Sequence, residues 1–252
     1  MPFPVNLKPK HSYKLIRLGS DRDGGYLVDE KSLMKSGCLI AMGISTDWSF
    51  EKDFKRRKSV PIYCYDYSLT VWFFIMYAIK SFLRLFQGKI FPFLLAIKTV
   101  VDYFIFFRSP VHLCKERVGC ANEGAVSINE VISRIPKEHR EQVFIKMDIE
   151  GSEYRVLDEI VDNASVFSGL VIEFHDADLH IDRISNFINQ FPLELIHAHA
   201  NNNWGLGSDD NTQLLEIIFS KYPTVTSSEP SLPHALDRIN NIALPEITLE
   251  FK

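Results

Sequence analysis

One stretch constrains this chain more than any other: Val143-Phe-Ile-Lys-Met-Asp-Ile-Glu-Gly-Ser-Glu-Tyr-Arg-Val-Leu157. It opens with residues 143–147, apolar apart from Lys146, the mark of a buried strand. From about residue 152 the apolar positions change to helical spacing, with Val156, Leu157 and Ile160 on one face. Ser152 is placed to cap that helix, and Glu153 in its first turn is favoured by the helix dipole. Between strand and helix stand Asp148, Glu150 and Gly151. In extended backbone two carboxylates at i and i+2 point to one side, and a glycine after them lets the chain turn tightly. In open α/β sheets the strand's carboxyl end is where ligands bind. The same spacing also suits a plain solvated turn with acidic residues at a helix start.

Comparable strand-to-helix transitions recur along the chain. Residues 38–42 are a continuous apolar run that reads as a central strand; 60–65, and 169–174 with its single charge at Glu173, read as further strands. Residues 48–57, 126–135 and 179–190 have helical spacing, the first with Asp47 or Ser49 as its cap. Residues 14–18 and 26–28 flank Gly19-Ser-Asp-Arg-Asp-Gly-Gly25 and predict a hairpin. Residues 193–199 alternate, which puts His197 and His199 on one face of a strand. Asn201-Asn-Asn203 reads as a turn, and residues 213–220 and 246–251 as late strands. Alternating strands and helices followed by consecutive strands predict an α/β fold, mostly parallel with an antiparallel C-terminal edge. We read residues 1–252 as one domain, with residues 1–30 as a hairpin extension and 69–108 as an insertion.

Two further positions suit a nucleotide-type ligand. Gly43 follows the strand at 38–42 and precedes a helix, so backbone can approach a ligand there. Asp66 ends the strand at 60–65, about 20 residues on, where an acidic residue commonly holds ribose hydroxyls. One carboxylate can accept from both hydroxyls. The strands ending at Asp148 and Glu173 would be neighbours, so Asp148, Glu150, Glu173, His175 and Asp176 could converge. His175 is then the first candidate for a general base, because imidazole ordinarily titrates near working pH; Asp148 and Glu150 are the next. Such a cluster also suits a divalent ion, although the spacing does not demand one.

The insertion is unusual in composition. Val71-Trp-Phe-Phe-Ile-Met-Tyr-Ala-Ile79 is apolar all round, and further apolar runs follow at 90–97 and 103–107. Lys80, Arg84, Lys89, Lys98 and Arg108 interrupt them, opposed only by Asp102. No run reaches the ~20 residues that a membrane span requires. Two or three helices are expected, broken near Gln87-Gly88 and at Pro92. They would form a cap on the sheet or a basic, aromatic surface for peripheral membrane contact. The net charge of −4 gives no reason to expect nucleic acid as a partner. Four cysteines without a CxxC pair, and a start lacking a signal-peptide core, lead us to expect a reducing, cytoplasmic setting.

Lys146-Met-Asp-Ile-Glu-Gly-Ser-Glu-Tyr154 resembles the signature of FkbM-type methyltransferases, which use S-adenosylmethionine (SAM). Gly43-Ile-Ser-Thr-Asp-Trp-Ser-Phe-Glu51 is similar to that family's first loop, poorer in glycine than the usual methyltransferase loop, and Asp23-Gly-Gly-Tyr26 to a stretch preceding its sheet. The resemblance implies a seven-stranded Rossmann-like sheet. It implies SAM held near Gly43, Ser45, Asp47, Glu51, Asp66 and Asp148, and methylation of a hydroxyl on a carbohydrate or glycoconjugate. It also implies that the Asp23-to-Tyr26 stretch covers the cofactor or acceptor pocket. Two other readings of the residues stand beside it. One is a metal-dependent hydrolase using Asp148, Glu150, His175 and His197. The other is a non-catalytic module that docks to membrane or glycan-assembly proteins through residues 69–108.

Overall fold

The computed structural model describes residues 3–83, 86, 88, 90–121 and 124–252. A short strand, β1 (Ser12–Tyr13), and a hairpin of β2 (Leu15–Leu18) and β3 (Tyr26–Asp29) lead into α1 (Glu30–Lys35), which Asp29 caps by accepting from Ser32 N at 2.7 Å. Then follow β4 (Cys38–Met42), α2 (Ser49–Arg57), β5 (Ile62–Tyr65), α3 (Val71–Leu83), α4 (Ile90–Phe106) and β6 (Val111–Cys114). The second half runs α5 (Ile128–Ser133), α6 (Lys137–Arg140), β7 (Val143–Met147), α7 (Leu157–Asp162), β8 (Phe167–Phe174) and α8 (Ile181–Gln190). It closes with β9 (Glu194–Leu206), β10 (Thr212–Ser220) and β11 (Val225–Ser227).

Seven of these strands form one sheet in the order β6-β5-β4-β7-β8-β10-β9. The pairs β6–β5, β5–β4, β4–β7 and β7–β8 are parallel, and β10 runs antiparallel to both its neighbours. The sheet is therefore Rossmann-like and mostly parallel, as expected, with its antiparallel strand one place in from the edge. Its order reverses between β4 and β7, the switch point at which open α/β sheets bind ligands.

The sheet is buried on both faces, which is why its strands read as continuous apolar runs. In β4, Cys38, Ile40 and Met42 pack on one side with α5, α7 and α8. Leu39 and Ala41 face the other side, with the β2–β3 hairpin, Phe50 and Phe54 of α2, and the base of the insertion. The same alternation sends Phe144 and Val171 to the hairpin side. Lys146 and Glu173, two residues further along β7 and β8, are buried on that side too.

Several expectations need correction. Residues 201–203 are not a turn: β9 continues through them to Leu206. Residues 246–251 contribute only an isolated bridge, Phe251 to Phe3. Ser152 makes no side-chain cap; a 3-10 turn at Glu153–Arg155 precedes α7. Pro92 breaks nothing, because it lies in the first turn of α4, where a proline costs no hydrogen bond. Arg84, Gln87 and Lys89 lie outside the described residues. Among its described residues the insertion holds two helices, α3 and α4, rooted on α2. Trp48 stacks on Phe106 with ring centroids 6.5 Å apart, and Asp102 accepts from Trp48 Nε1 at 2.8 Å and pairs with Lys52.

Candidate functional site

A cavity of about 470 Å³ opens at the carboxyl ends of β4, β5, β6 and β7. That volume is ample for a nucleoside-sized ligand. Gly43, Ser45, Asp66, Asp148 and Glu150 line it, together with Tyr67, Ser68, Arg117, Ser152 and Arg155. Asp47 and Glu51 do not. Asp47 is spent at the start of α2, where Oδ1 accepts from Ser49 N at 2.9 Å. Glu51 lies beneath the site, 1% exposed, with neither carboxylate oxygen partnered. Burial raises its pKa to about 7, against the pull of Lys146.

Gly43 and Asp66 occupy the predicted places for reasons the sequence did not reveal. Gly43 has φ +70°, and a Cβ there would sit 1.5 Å from the carbonyl oxygen of Asp148. The glycine is what lets the ends of β4 and β7 close together. Asp66 ties the first loop to the second. Its Oδ2 accepts from Ile44 N at 2.9 Å and Ser45 N at 2.7 Å. Its Oδ1 accepts from Ser68 N at 2.8 Å and Ser68 Oγ at 2.6 Å. A carboxylate has about four acceptor positions, so ribose hydroxyls would have to displace one of these donors.

A second group of polar side chains meets the cavity at Asp148. Lys146, buried, donates to Gly43 O at 2.7 Å and stands 3.5 Å from Asp148 Oδ2. Burial works against its charge, but Asp148, Glu51 and Glu173 outweigh that, so its pKa is raised and it stays an ammonium. Tyr26, from the hairpin, shares its hydroxyl between Glu173 Oε2 at 2.8 Å and Asp148 Oδ2 at 3.2 Å. Asn201 donates to Glu173 Oε1 at 3.2 Å and to Asp23 Oδ1 at 3.0 Å. Burial, then the charges of Asp148, Glu216 and Asp23, hold the Glu173 carboxyl well above the usual carboxylate range.

His175 lies at the end of β8 with its side chain 5% exposed. Its Nδ1 is 3.1 Å from Oε1 of the fully buried Glu153. A carboxylate partner makes Nδ1 the protonated nitrogen of the neutral ring. Nε2 is then left facing Glu150 Oε2 at 3.5 Å and Asp148 Oδ1 at 3.8 Å. Burial opposes the imidazolium, yet Glu153 first, then Asp148 and Glu150, overcome it and raise the His175 pKa. Glu153 itself accepts from Ile149 N at 2.8 Å, which holds the acidic turn in shape. That turn is not extended: Glu150 has φ +54° and is 80% exposed. Trp204, 48% exposed, meets the His175 ring edge to face, at a centroid distance of 5.4 Å and an interplanar angle of 66°.

Asp148, Glu173 and His175 each offer one atom within 4.8 Å of the others'. Carboxylates and imidazole are donors that a divalent ion accepts, but the Lys146 ammonium already supplies positive charge at Asp148. His197 and His199 are engaged elsewhere: His197 Nε2 is 2.9 Å from Asp237 Oδ1, and His199 Nδ1 is 3.1 Å from Glu216 Oε2. A second cavity, about 430 Å³, lies between β9 and residues 244–250; its only titratable linings are Asp210, Glu246 and Glu250.

Sequence reasoning missed Glu153, Lys146 and Trp204 as parts of this site. Glu153 looked like a helix-start residue, and nothing local tells such a glutamate from one that reaches a histidine 22 residues on. Lys146 did carry a signal, as the single charge inside an apolar strand.

No family model matches the chain, and no curated protein matches it. Solved structures of similar shape include the fibrillarin pre-rRNA processing protein of Methanococcus jannaschii, at 10% identity over 82% of each chain and a TM-score of 0.39. An rRNA methylase from Streptococcus thermophilus matches at 10% identity over 76% of this chain and 93% of that one, with a TM-score of 0.38. The 16S rRNA (adenine(1408)-N(1))-methyltransferase from Catenulisporales acidiphilia matches at 10% identity over 85% and 100%, with a TM-score of 0.33. Likenesses this distant carry no argument about what this chain does.

Proposed function

We propose that the protein is a SAM-dependent O-methyltransferase of FkbM type that methylates a hydroxyl of a carbohydrate or glycoconjugate. One observation supports this reading above the others. The cavity at the sheet's switch point and the His175 cluster share Asp148 and Glu150, so a ligand in the cavity would lie beside a histidine backed by a carboxylate. The signature motif that resembles the family falls on that shared edge.

SAM, when bound, supplies a methyl group already activated on a sulfonium. The chain's own residues would hold an acceptor oxygen in line with it and take up the acceptor's proton. His175 Nε2 is the base in this reading, and Glu153 is the positioning residue that keeps the other nitrogen protonated. Ser45, Asp66 and Asp148 are the cofactor-side residues, with Asp66 acting chiefly by shaping the first loop. Tyr26 brings the Asp23-to-Tyr26 stretch over the acceptor side. Trp204 gives the apolar C–H face of a sugar ring a flat surface, and Asn201 and Asp23 offer hydroxyl partners. A net charge of −4 also favours such an acceptor over nucleic acid.

The test is transfer of labelled methyl from SAM to a panel of oligosaccharides and nucleotide sugars. His175→Gln should lose at least ~100-fold in kcat, the usual scale for a general base, with SAM affinity kept. Trp204→Ala should raise KM for the acceptor. Wild-type protein that binds SAM yet methylates no carbohydrate, or a His175→Gln variant with unchanged kcat, would overturn the assignment.

A further inference from the structure

The function proposed above leaves the insertion unexplained. Fifteen of the 25 large apolar side chains exposed in the described chain fall within residues 71–105. Phe86, Phe91 and Trp72 are 78%, 73% and 67% exposed. Among the described residues, it is the root of the hairpin that packs on the body, with Phe74, Tyr103 and Phe106 against Trp48 and its neighbours. Few buried side chains are found further out, Ser81 and Ala96 among them.

The distribution of these residues indicates what covers them. At about 100° per residue, the exposed apolar positions span about 120° of α3 and about 180° of α4. Lys98 sits inside the apolar face of α4, with Leu94, Leu95 and Val101 as exposed neighbours three or four positions away. A docked protein would bury that ammonium among aliphatic side chains with no carboxylate to offset the lost hydration. In a bilayer interface the lysine stem lies along the acyl boundary while the ammonium reaches the phosphates. Among the described residues of the hairpin the exposed charges are Lys80, Lys98 and Arg108, all positive; the one acid, Asp102, is taken by Trp48 and Lys52. The helices are about 20 and 26 Å long, short of a ~30 Å bilayer core. No helix among the described residues is long and apolar enough to cross a membrane.

We propose that the α3–α4 hairpin is a monotopic membrane anchor that lies in the interface of an anionic bilayer, its aromatic and aliphatic side chains among the acyl chains and its lysines at the head groups. This does not depend on the methyltransferase reading. The chain passes from Tyr67 and Ser68, at the cavity, straight into α3. A membrane held by the hairpin therefore lies close to the site.

The test is co-sedimentation of the full chain with vesicles of phosphatidylcholine alone or mixed with phosphatidylglycerol, alongside the solution mass from light scattering. Binding to the mixed vesicles is expected, and weaker binding to the neutral ones. Phe86→Ser with Phe91→Ser should weaken it at least ~100-fold, from the apolar area removed. Both side chains are highly exposed, so the core is untouched, and circular dichroism checks this. Lys80→Gln with Lys98→Gln should weaken binding to mixed vesicles about 30-fold, at roughly one head-group attraction per lysine. Equal binding to both vesicles would overturn the anionic part. A chain that stays in the supernatant would overturn the anchor. If such a chain also forms a dimer that Phe86→Ser with Phe91→Ser dissociates, the hairpin's occupant is a second copy.

Discussion

Replacing Gly43 by alanine tests the idea that this residue sets the spacing of β4 and β7. Two penalties combine there. The left-handed φ of +70° costs a Cβ-bearing residue about 1–2 kcal/mol. The added Cβ would also stand 1.5 Å from Asp148 O and 2.7 Å from Asp148 C, so that carbonyl must move by about 1.5 Å or more. Asp148 N donates to Met42 O at 3.1 Å and Gly43 N to Tyr65 O at 3.0 Å, so the shift disturbs the ends of two parallel pairings at about 1 kcal/mol per hydrogen bond. The sum is about 3–4 kcal/mol. Gly151→Ala is the control: its φ is +87° but no heavy atom lies within 4 Å of the new Cβ. It should cost only the backbone term, about 1–2 kcal/mol. Urea unfolding followed by circular dichroism gives both values. For a chain of this size 1 kcal/mol moves Tm by about 2–4 °C, so the two variants should differ by at least about 4 °C. A Gly43→Ala variant within about 0.5 kcal/mol of Gly151→Ala, a spread typical of neutral substitutions, would refute the close approach.

Glu51 should make the fold less stable as pH rises. With a folded pKa of about 7 against 4.5, the native state holds the extra proton between those values, so stability falls across that window and levels off above it, by about 3 kcal/mol in all. Glu51→Gln should abolish that slope, and urea midpoints between pH 5 and 8 that are parallel for the two proteins would count against it. In the methyl-transfer assay, activity should rise with pH as His175 loses its proton, with the midpoint above the ordinary imidazole value. Glu153→Gln removes the largest raising influence, so that limb should move to lower pH; an unmoved limb would separate Glu153 from His175. Protein treated with a chelator should keep its activity, because the Lys146 ammonium already serves Asp148; loss that magnesium restores would place a metal ion in the Asp148, Glu173 and His175 cluster.

The parallel half of the sheet was legible because its strands are buried on both faces. Residues 38–42 and 143–147 matched β4 and β7 to the residue. The C-terminal region was harder to read. Asn201 and Asn202 look like turn residues, yet both are buried in β9, Asn201 on Glu173 and Asp23, and Asn202 on the carbonyls of Asn241, Leu244 and Pro245. Those partners are distant in sequence, so local propensity had no access to them. At the site, residue types were legible where a strand end fixed their place, as for Gly43, Asp66, Asp148 and His175. Asp47 and Glu51 lie off the cavity because the start of α2 engages Asp47 in a turn bond to Ser49 N and sends Glu51 into the core; Trp48, not Asp47 or Ser49, is the N-cap residue, and no side chain caps the helix. Which nitrogen of His175 is held, and by what, depends on a 22-residue contact that no motif encodes.

The proposed function requires SAM in the cavity above β4 and β7. Its most direct test is the thermal shift of the purified chain with SAM and with its demethylated product, beside Ser152→Trp. Ser152 lines the cavity and makes no capping bond, so tryptophan there fills the space without removing a contact of the core. At a hundred times the dissociation constant a ligand stabilises the fold by ~2.7 kcal/mol, or roughly 5–10 °C here. That shift is expected with both ligands in the wild type, and its loss in a folded Ser152→Trp variant. No shift at millimolar ligand, or an equal shift in Ser152→Trp, would contradict it.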